Sequence, residues 1–68
     1  MNVLITGTSS GIGRAAAEKF LSCGHKVFGL DRLLPTLEDK EFEAYRCDIF
    51  RDELPELSPI DVLINNAG

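Results

Sequence analysis

Residues 6–13 read TGTSSGIG and stand between a short apolar run and a segment with helical periodicity. The apolar run, Asn2–Thr6, is typical of a strand buried on both faces, as in a parallel sheet. Glycine and serine at this density predict a tight turn. Residues 11–23 then repeat apolar side chains at the helical period, and Gly24 stands where a helix C-terminal glycine belongs. The sequence therefore predicts a strand, a turn and a helix in direct succession.

The predicted helix is expected to bury one side against the sheet. Its apolar residues recur every four positions, with two more beside them: Ile12, Ala16 and Phe20, flanked by Ala15 and Leu21. Either Ser9 or Ser10 can cap the start of the helix, because a serine hydroxyl accepts a hydrogen bond from a free N–H group there.

Three further segments have the composition of strands: Lys26–Asp31, Glu41–Ile49 and Asp61–Asn65. A strand, a helix and a second strand within about 30 residues form a βαβ unit, whose crossover is right-handed and whose strands are parallel. The later connections, residues 32–40 and 50–59, contain prolines and are too short for a comfortable crossover helix. The predicted fold class is α/β.

Composition and charge narrow the class of partner. The chain has 68 residues, which allows one small domain with a thin core, and a net charge of −4 without a basic stripe. Neither nucleic acid nor an anionic membrane surface is therefore an expected partner. Cys23 and Cys47 lack disulfide or metal spacing and are expected to be reduced. Without a signal segment or a membrane span in the sequence, we expect a cytoplasmic protein.

The glycine-rich turn is a candidate phosphate site. A helix N-terminus carries unpaired N–H groups and a partial positive charge, and both attract phosphate. Gly7 turns the chain away from the strand, whereas Gly11 and Gly13 let a pyrophosphate and the neighbouring strand approach closely. The alternative is a loop that needs glycine only for its turn. A P-loop is excluded, because no Gly-Lys-Ser/Thr follows.

Asp31 ends the second predicted strand, 18 positions after Gly13. An acidic residue about 20 positions beyond the glycines accepts hydrogen bonds from the adenosine ribose hydroxyls of a dinucleotide. A carboxylate would repel the 2′-phosphate of NADP, so we expect NAD to be the cofactor and NADP to be less suited. Arg32 leaves the other possibility open, since a guanidinium there could receive a 2′-phosphate.

Four acidic residues with one lysine among them form a run that could suggest a metal site: Glu38, Asp39, Glu41 and Glu43. Their strand or loop geometry and the intervening Lys40 favour a solvated surface instead. No metal site and no Ser-His-Asp or Cys-His set is predicted.

Taken together, these motifs resemble the short-chain dehydrogenase/reductase family. Its members carry Thr-Gly-x-x-x-Gly-x-Gly after the first strand, and residues 6–13 fit every fixed position. They also carry Asn-Asn-Ala-Gly after the fourth strand, as at residues 65–68, and an aspartate after the third strand, as at Asp48. The resemblance covers the whole chain.

The resemblance implies a Rossmann-type parallel sheet with the strand order 3-2-1-4 and the ligand at the carboxyl ends of the strands. It also implies roles for individual residues along the dinucleotide: Gly7, Ser9, Ser10 and Ile12 at the pyrophosphate and adenosine, Asp31 at the ribose, Asp48 and Ile49 at the adenine, and Asn65 and Ala67 near the nicotinamide ribose. Members that use NADP often have a basic residue before the second glycine. Ser10 occupies that position here, which favours NAD.

The family's catalytic residues are a serine, a Tyr-x-x-x-Lys pair and an asparagine, all beyond Asn-Asn-Ala-Gly. Tyr45 is no substitute, because position 49 is Ile. We therefore expect residues 1–68 to be the N-terminal dinucleotide-binding part of a single Rossmann-fold domain, without the C-terminal catalytic part and without catalytic residues.

The resemblance implies a parent enzyme that transfers a hydride between NAD(P)(H) and a carbonyl or alcohol substrate. The short connections resemble those of compact members such as 3-oxoacyl-[acyl-carrier-protein] reductases, which hints at a small-molecule or acyl-carrier-linked carbonyl substrate. The parent is also expected to be a homo-oligomer. Two alternatives stay open: a non-catalytic dinucleotide-binding module complete at this length, and a methyltransferase, whose glycine turn also precedes a helix.

Overall fold

A computed structural model describes residues 1–9, 11–33, 37–48, 51–53 and 55–66 of the chain. Within these ranges the chain forms a parallel sheet with a helix on one of its faces. The elements in chain order are β1 (Asn2–Thr6), α1 (Gly11–Ser22), β2 (Lys26–Asp31), β3 (Phe42–Arg46) and β4 (Val62–Asn65).

The four strands lie in the order β3-β2-β1-β4, and every neighbouring pair is parallel. The predicted α/β class and strand order are both confirmed. β1 is central: its Ile5 pairs with Gly29 of β2 on one side and with Ile64 of β4 on the other. Since all strands run the same way, their carboxyl ends share one edge of the sheet, which we call the carboxyl edge.

The core lies between α1 and the centre of the sheet. Val3, Ile5 and Val27 are fully buried and cluster with Ala17 of the helix. Burial of a side chain the size of valine or isoleucine contributes about 1.5–3 kcal/mol, so each of these strand residues makes a substantial hydrophobic contribution to stability. Partly buried residues pack around the cluster: Ala16, Phe20, Leu21, Leu37, Phe42, Val62 and Ile64.

The buried side of α1 differs from the one predicted. Gly13 and Ala17 are the buried residues of the helix, whereas Ile12 is 79% exposed and Ala15 is also exposed. The predicted Ala16, Phe20 and Leu21 do pack on the core. The difference arises because glycine at position 13 lets that side of the first turn approach the sheet most closely, which rotates the contact away from Ile12.

The helix ends in a Schellman motif. Gly24 has φ +85°, its N–H donates to the carbonyl of Leu21 at 3.0 Å, and the N–H of His25 donates to the carbonyl of Phe20 at 3.1 Å. This pair of bonds is the pattern that places a left-handed glycine directly after a helix. The predicted role of Gly24 is confirmed.

Two strands are shorter than predicted. β3 starts one residue later and ends at Arg46, and β4 starts at Val62. The pairing of β3 with β2 ends at Asp31. The N–H of Cys47 donates to the carbonyl of Asp31 at 2.8 Å, whereas the N–H of Leu33 donates to the side-chain carboxylate of Asp31 and not to β3. The predicted end of this strand at Ile49 lies outside the described residues.

The second face of the sheet is covered at its centre. Phe28 is 3% exposed and Leu30 is 1% exposed, although both alternate with Val27 and so point away from α1. The β3–β4 connection joins opposite edges of the sheet, and the right-handed rule for crossovers between parallel strands would take it over this face. Leu63 of β4 is 63% exposed on the same face.

The described parts of both later connections contain no helix. Cys23 and Cys47 are free thiols, as predicted; Cys23 is exposed and Cys47 is buried. No helix in the described ranges is long and apolar enough to cross a membrane.

Candidate functional site at the carboxyl edge

The carboxyl edge brings together most of the residues singled out in the sequence. The glycine-rich turn follows β1, Asp31 ends β2, and Asn65 ends β4. Because β1 lies between β2 and β4, the turn emerges between Asp31 and Asn65. Asp48 follows β3, one strand farther out. The predicted site residues Ser10, Ile49 and Ala67 lie outside the described residues.

The turn between β1 and α1 needs glycine for its backbone conformation at two positions. Gly7 has φ +73° and Gly11 has φ +62°, both in the left-handed region that other residues enter at a cost of about 1–2 kcal/mol. The N–H of Gly7 donates to the carbonyl of Leu30 at 2.7 Å, which fastens the start of the turn to β2. A Cβ added at Gly11 would meet nothing within 4 Å, so the space beside this glycine is open.

Gly13 is needed for close packing. A Cβ there would overlap the carbonyl oxygen of Gly7 and lie 2.7 Å from Nδ2 of Asn66. The first turn of α1 therefore rests directly on the backbone of the glycine-rich turn. The sequence predicted that Gly11 and Gly13 allow close approach of a pyrophosphate and of neighbouring protein backbone. In the structure it is Gly13 that allows the close approach of protein backbone.

The first turn of α1 contains no acidic residue. No carboxylate of the helix itself therefore neutralises the partial positive charge of its N-terminus. Arg14 pairs instead with Glu18 one turn along, with Nε and Oε1 3.0 Å apart. Such an exposed pair contributes about 0.2–0.5 kcal/mol to the helix and directs the guanidinium along it.

Asp31 contacts the glycine-rich turn through its carboxylate. Oδ2 accepts a hydrogen bond from the N–H of Ser9 at 3.0 Å, and Oδ1 accepts one from the N–H of Leu33 at 2.8 Å. Burial alone would raise the pKa of Asp31. The N–H groups of Leu33 and Ser9 outweigh burial, with help from the Ser9 hydroxyl and the charge of Arg32, and hold the pKa below its usual 3.8. The carboxylate is therefore ionised at neutral pH.

Asn65 and Asn66 tie β4 to β1. The hydroxyl of Thr6 donates to Oδ1 of Asn65 at 3.1 Å and accepts the N–H of Asn66 at 2.9 Å. Nδ2 of Asn66 also donates to the carbonyl of Gly7 at 3.2 Å. The sequence analysis placed Asn65 near a ligand and did not predict that Thr6 and Asn66 hold β4 to β1. Thr6 and Asn65 end neighbouring parallel strands, and this placement could have indicated a contact between them.

Gly29 is a further residue whose part in the site sequence reasoning missed. A Cβ at this position of β2 would lie 2.6 Å from Oγ1 of Thr8 and 2.7 Å from the ring of Phe42. Its absence lets Thr8, which is 2% exposed, fold down over β2. A glycine inside a predicted strand is a sign of such a close approach.

Asp48 follows β3 by two positions and is half-buried. Its N–H donates to Oδ2 of Asp52 at 2.8 Å, and its carbonyl accepts the N–H groups of Arg51 and Asp52 at 3.0 and 2.8 Å. The structure therefore places Asp48 at the carboxyl edge in a fixed backbone conformation, beyond Asp31 from the glycine-rich turn.

Comparisons with known proteins agree with this geometry. A family model described as short chain dehydrogenase matches residues 1–68. A serine 3-dehydrogenase of Rhizobium radiobacter is 37% identical over 81 residues, covering 97% of this chain and 32% of that protein. An uncharacterised oxidoreductase of Schizosaccharomyces pombe is also 37% identical, over 75 residues, with 97% and 29% covered.

One solved structure has a similar fold. It is the crystal structure of a short chain dehydrogenase from Leptospira borgpetersenii with bound NAD+. The TM-score is 0.69 at 36% sequence identity, over 74% of this chain and 20% of the other. The present chain thus spans about a third of the length of the curated relatives described above.

Proposed function

This chain belongs to the short-chain dehydrogenase family, and from that premise we propose that residues 1–68 bind the adenosine and pyrophosphate of NAD. The observation that carries the proposal is the placement of Asp31: an ionised carboxylate at the end of β2, bonded to the N–H of Ser9 in the turn that precedes α1. The known protein of similar fold is described with bound NAD+.

The glycine-rich turn has the features that a pyrophosphate requires. It leads into a helix N-terminus whose first turn carries no acidic residue, and the space beside Gly11 is open. Free N–H groups at such a helix end bind phosphate oxygens. We assign the pyrophosphate path to Gly7, Ser9, Gly11 and Ile12, with Ser10 in the same stretch, and Gly13 supports this path by packing directly on the backbone of Gly7.

The remaining roles follow the order of the strands along the carboxyl edge. Asp31 would accept hydrogen bonds from the adenosine ribose, Asp48 with Ile49 would border the adenine, and Asn65 with Ala67 would lie near the nicotinamide ribose. The exposure of Ile12, which is not needed in the core, leaves its side chain available to a ligand beside the turn.

The charge at Asp31 favours NAD over NADP. A 2′-phosphate on the adenosine ribose would meet a carboxylate that its surroundings keep ionised. Arg32 follows Asp31 at the end of β2, and Arg46 ends β3 as the register partner of Asp31; Nε of Arg46 donates to the carbonyl of Arg32 at 3.2 Å. These two guanidinium groups could lessen the repulsion, so we expect a preference for NAD and not complete exclusion of NADP.

For the whole protein, we propose an oxidoreductase in which residues 1–68 are the N-terminal part of a single Rossmann-fold domain. It would transfer a hydride between NAD(H) and a carbonyl or alcohol, with the catalytic residues of the family outside this segment, and it would assemble as a homo-oligomer. A 3-oxoacyl-[acyl-carrier-protein] reductase is the narrower hypothesis. A non-catalytic module is less favoured, since the relatives described above are named as oxidoreductases or dehydrogenases.

Isothermal titration calorimetry of the full-length protein with NAD+ and with NADP+ tests which cofactor the protein prefers. We expect NAD+ to bind with the lower Kd, by about tenfold, which is the size of one charge-assisted interaction. Equal affinity would remove the selectivity assigned to Asp31. Binding of S-adenosylmethionine in place of NAD+ would overturn the proposed function.

A further inference from the structure

The carboxylate of Asp31 makes more contacts within the protein than the binding of ribose requires. Its two oxygens accept hydrogen bonds from the N–H groups of Ser9 and Leu33, at 3.0 and 2.8 Å. Ser9 belongs to the glycine-rich turn, 22 positions away, and is 6% exposed. Asp31 therefore bridges the turn after β1 and the turn after β2.

The Ser9 hydroxyl reinforces this bridge. It donates to the carbonyl of Leu33 at 3.3 Å and also lies close enough to Asp31 to help lower the pKa of that carboxylate. A hydroxyl has a single proton and serves one acceptor at a time. The bond from the backbone N–H of Ser9 to Asp31 is therefore the fixed contact. The hydroxyl of Ser9 adds a bond either to the carbonyl of Leu33 or to the carboxylate of Asp31. We call Ser9, Asp31 and Leu33 the clasp.

The clasp and a bound ribose are compatible. An ionised carboxylate has about four lone-pair sites. The two backbone bonds occupy one site on each oxygen, so further sites are left for ribose hydroxyls. Asp31 can hold the turn and accept the ribose at the same time.

The position of Ser9 makes the clasp consequential for the pyrophosphate. Ser9 stands between Gly7 and Gly11, the two left-handed glycines of the turn. The N–H of Gly7 is held by the carbonyl of Leu30, and the carbonyl of Gly7 is held by Asn66. Of the residues that the structure describes between these glycines, Ser9 is the one fastened to a charged group.

We propose that Asp31 is a positioning residue as well as a ribose acceptor: through the N–H of Ser9 its carboxylate holds the glycine-rich turn in the conformation that receives the pyrophosphate. This inference rests on the proposed binding of NAD and adds a second task to the same side chain. It implies that Asp31 contributes to the affinity even for a dinucleotide that has no adenosine ribose hydroxyls.

The test is a cycle of two proteins and two ligands. Full-length wild type and Asp31→Ala are each titrated with NAD+ and with its 2′,3′-dideoxyadenosine analogue, which keeps the pyrophosphate and lacks the hydroxyls. We expect the substitution to weaken binding of the analogue by about fivefold to tenfold, because one hydrogen bond to a charged group is lost from the turn. For NAD+ the loss is larger, because the ribose contacts are lost as well.

The charge change works against this expectation, which sharpens the test. Removing a carboxylate near a pyrophosphate lessens repulsion and by itself would tighten binding. If Asp31→Ala binds the analogue more weakly than wild type does, the cause is therefore that the glycine-rich turn is no longer held in its binding conformation. Asp39→Ala is the matched control: Oδ1 of Asp39 accepts the N–H of Glu41 at 2.9 Å, before the start of β3 and at the opposite edge of the sheet. Asp39→Ala removes the same charge and the same kind of hydrogen bond. Its affinities for NAD+ and for the analogue should stay within about twofold of the wild-type values.

Hydrogen exchange separates positioning from general loss of structure. In Asp31→Ala the N–H of Ser9 should lose protection, whereas those of Val3 and Ile5 should keep it. Asp31→Asn retains one acceptor oxygen and should recover part of the analogue affinity.

The outcomes are distinguishable. Unchanged affinity of Asp31→Ala for the analogue, with NAD+ weakened, would overturn the positioning role and leave the ribose role intact. Loss of protection at Val3 and Ile5 together with Ser9 would also overturn it, since the effect would then be general. Failure of wild type to bind NAD+ at millimolar concentration would overturn the proposed function and this inference with it.

Discussion

At the scale of single residues, Gly11 and Gly13 stand two positions apart in one turn and need glycine for different reasons. Gly11 has a left-handed backbone with open space around it, whereas Gly13 has a buried helical position beneath the carbonyl of Gly7. The sequence motif predicts that both positions are glycine and that a ligand lies near. It does not separate the two reasons, because the contact of Gly13 with Gly7 and Asn66 depends on how α1 packs.

This difference predicts unequal effects on stability. Gly13→Ala should lower the free energy of unfolding by about 3 kcal/mol, because the added methyl overlaps a backbone atom that cannot move without shifting the turn. Gly11→Ala should cost about 1–2 kcal/mol for the left-handed backbone alone. Urea unfolding of both variants measures the two values. Equal losses in the free energy of unfolding would show that the close packing at Gly13 adds no cost beyond that of the left-handed backbone at Gly11.

Asp31 gives the fold a dependence on acid. Its pKa is lowered in the folded protein, so the ionised carboxylate stabilises the fold above its unfolded pKa, and this contribution is lost as the pH falls through the lower folded value. Wild type should therefore lose its advantage over Asp31→Asn as the pH drops from about 5 to about 2. Urea unfolding at a series of pH values measures this, and a constant difference between the two proteins would contradict it.

At the scale of elements, strand order was predictable and element bounds were less so. The βαβ unit at residues 2–31 follows from periodicity and turn residues, and the remaining order came from the family resemblance. The end of β3 depends on where β2 ends, at Asp31, where the N–H of Leu33 bonds to the Asp31 carboxylate instead of continuing the sheet. The predicted buried side of α1 began at Ile12, whereas the structure buries Gly13 and Ala17. Apolar periodicity gives no weight to a glycine, although Gly13 is the residue that packs most closely on the glycine-rich turn.

The C-terminus of α1 carries a prediction at this scale. Gly24 has open space around it but φ +85°, so Gly24→Ala should cost about 1 kcal/mol through backbone strain and not through a clash. Thermal unfolding measures the change. Ser22→Ala, in the same exposed end of the helix, removes only the bond from Oγ to the carbonyl of Lys19 and should cost less. A larger loss for Ser22→Ala would contradict the Schellman motif as the main stabilising feature of this end.

At the scale of the whole molecule, the site is a consequence of topology. Parallel strands with β1 in the centre bring the turn, Asp31 and Asn65 to one edge, although they are separated by up to 59 positions in the chain. The clasp and the Thr6 contacts with Asn65 and Asn66 then fix the turn from both sides. Sequence reasoning identified the side chains that point to a dinucleotide. It could not identify their mutual contacts, because these form only after the strands pair.

The most direct test of the account is a crystal structure of the full-length protein with NAD+. We expect the pyrophosphate between the glycine-rich turn and the N-terminus of α1, the adenosine ribose on Asp31, and the Ser9 N–H still bonded to the Asp31 carboxylate. Density for the dinucleotide elsewhere, or a ribose turned away from Asp31, would contradict the central claim.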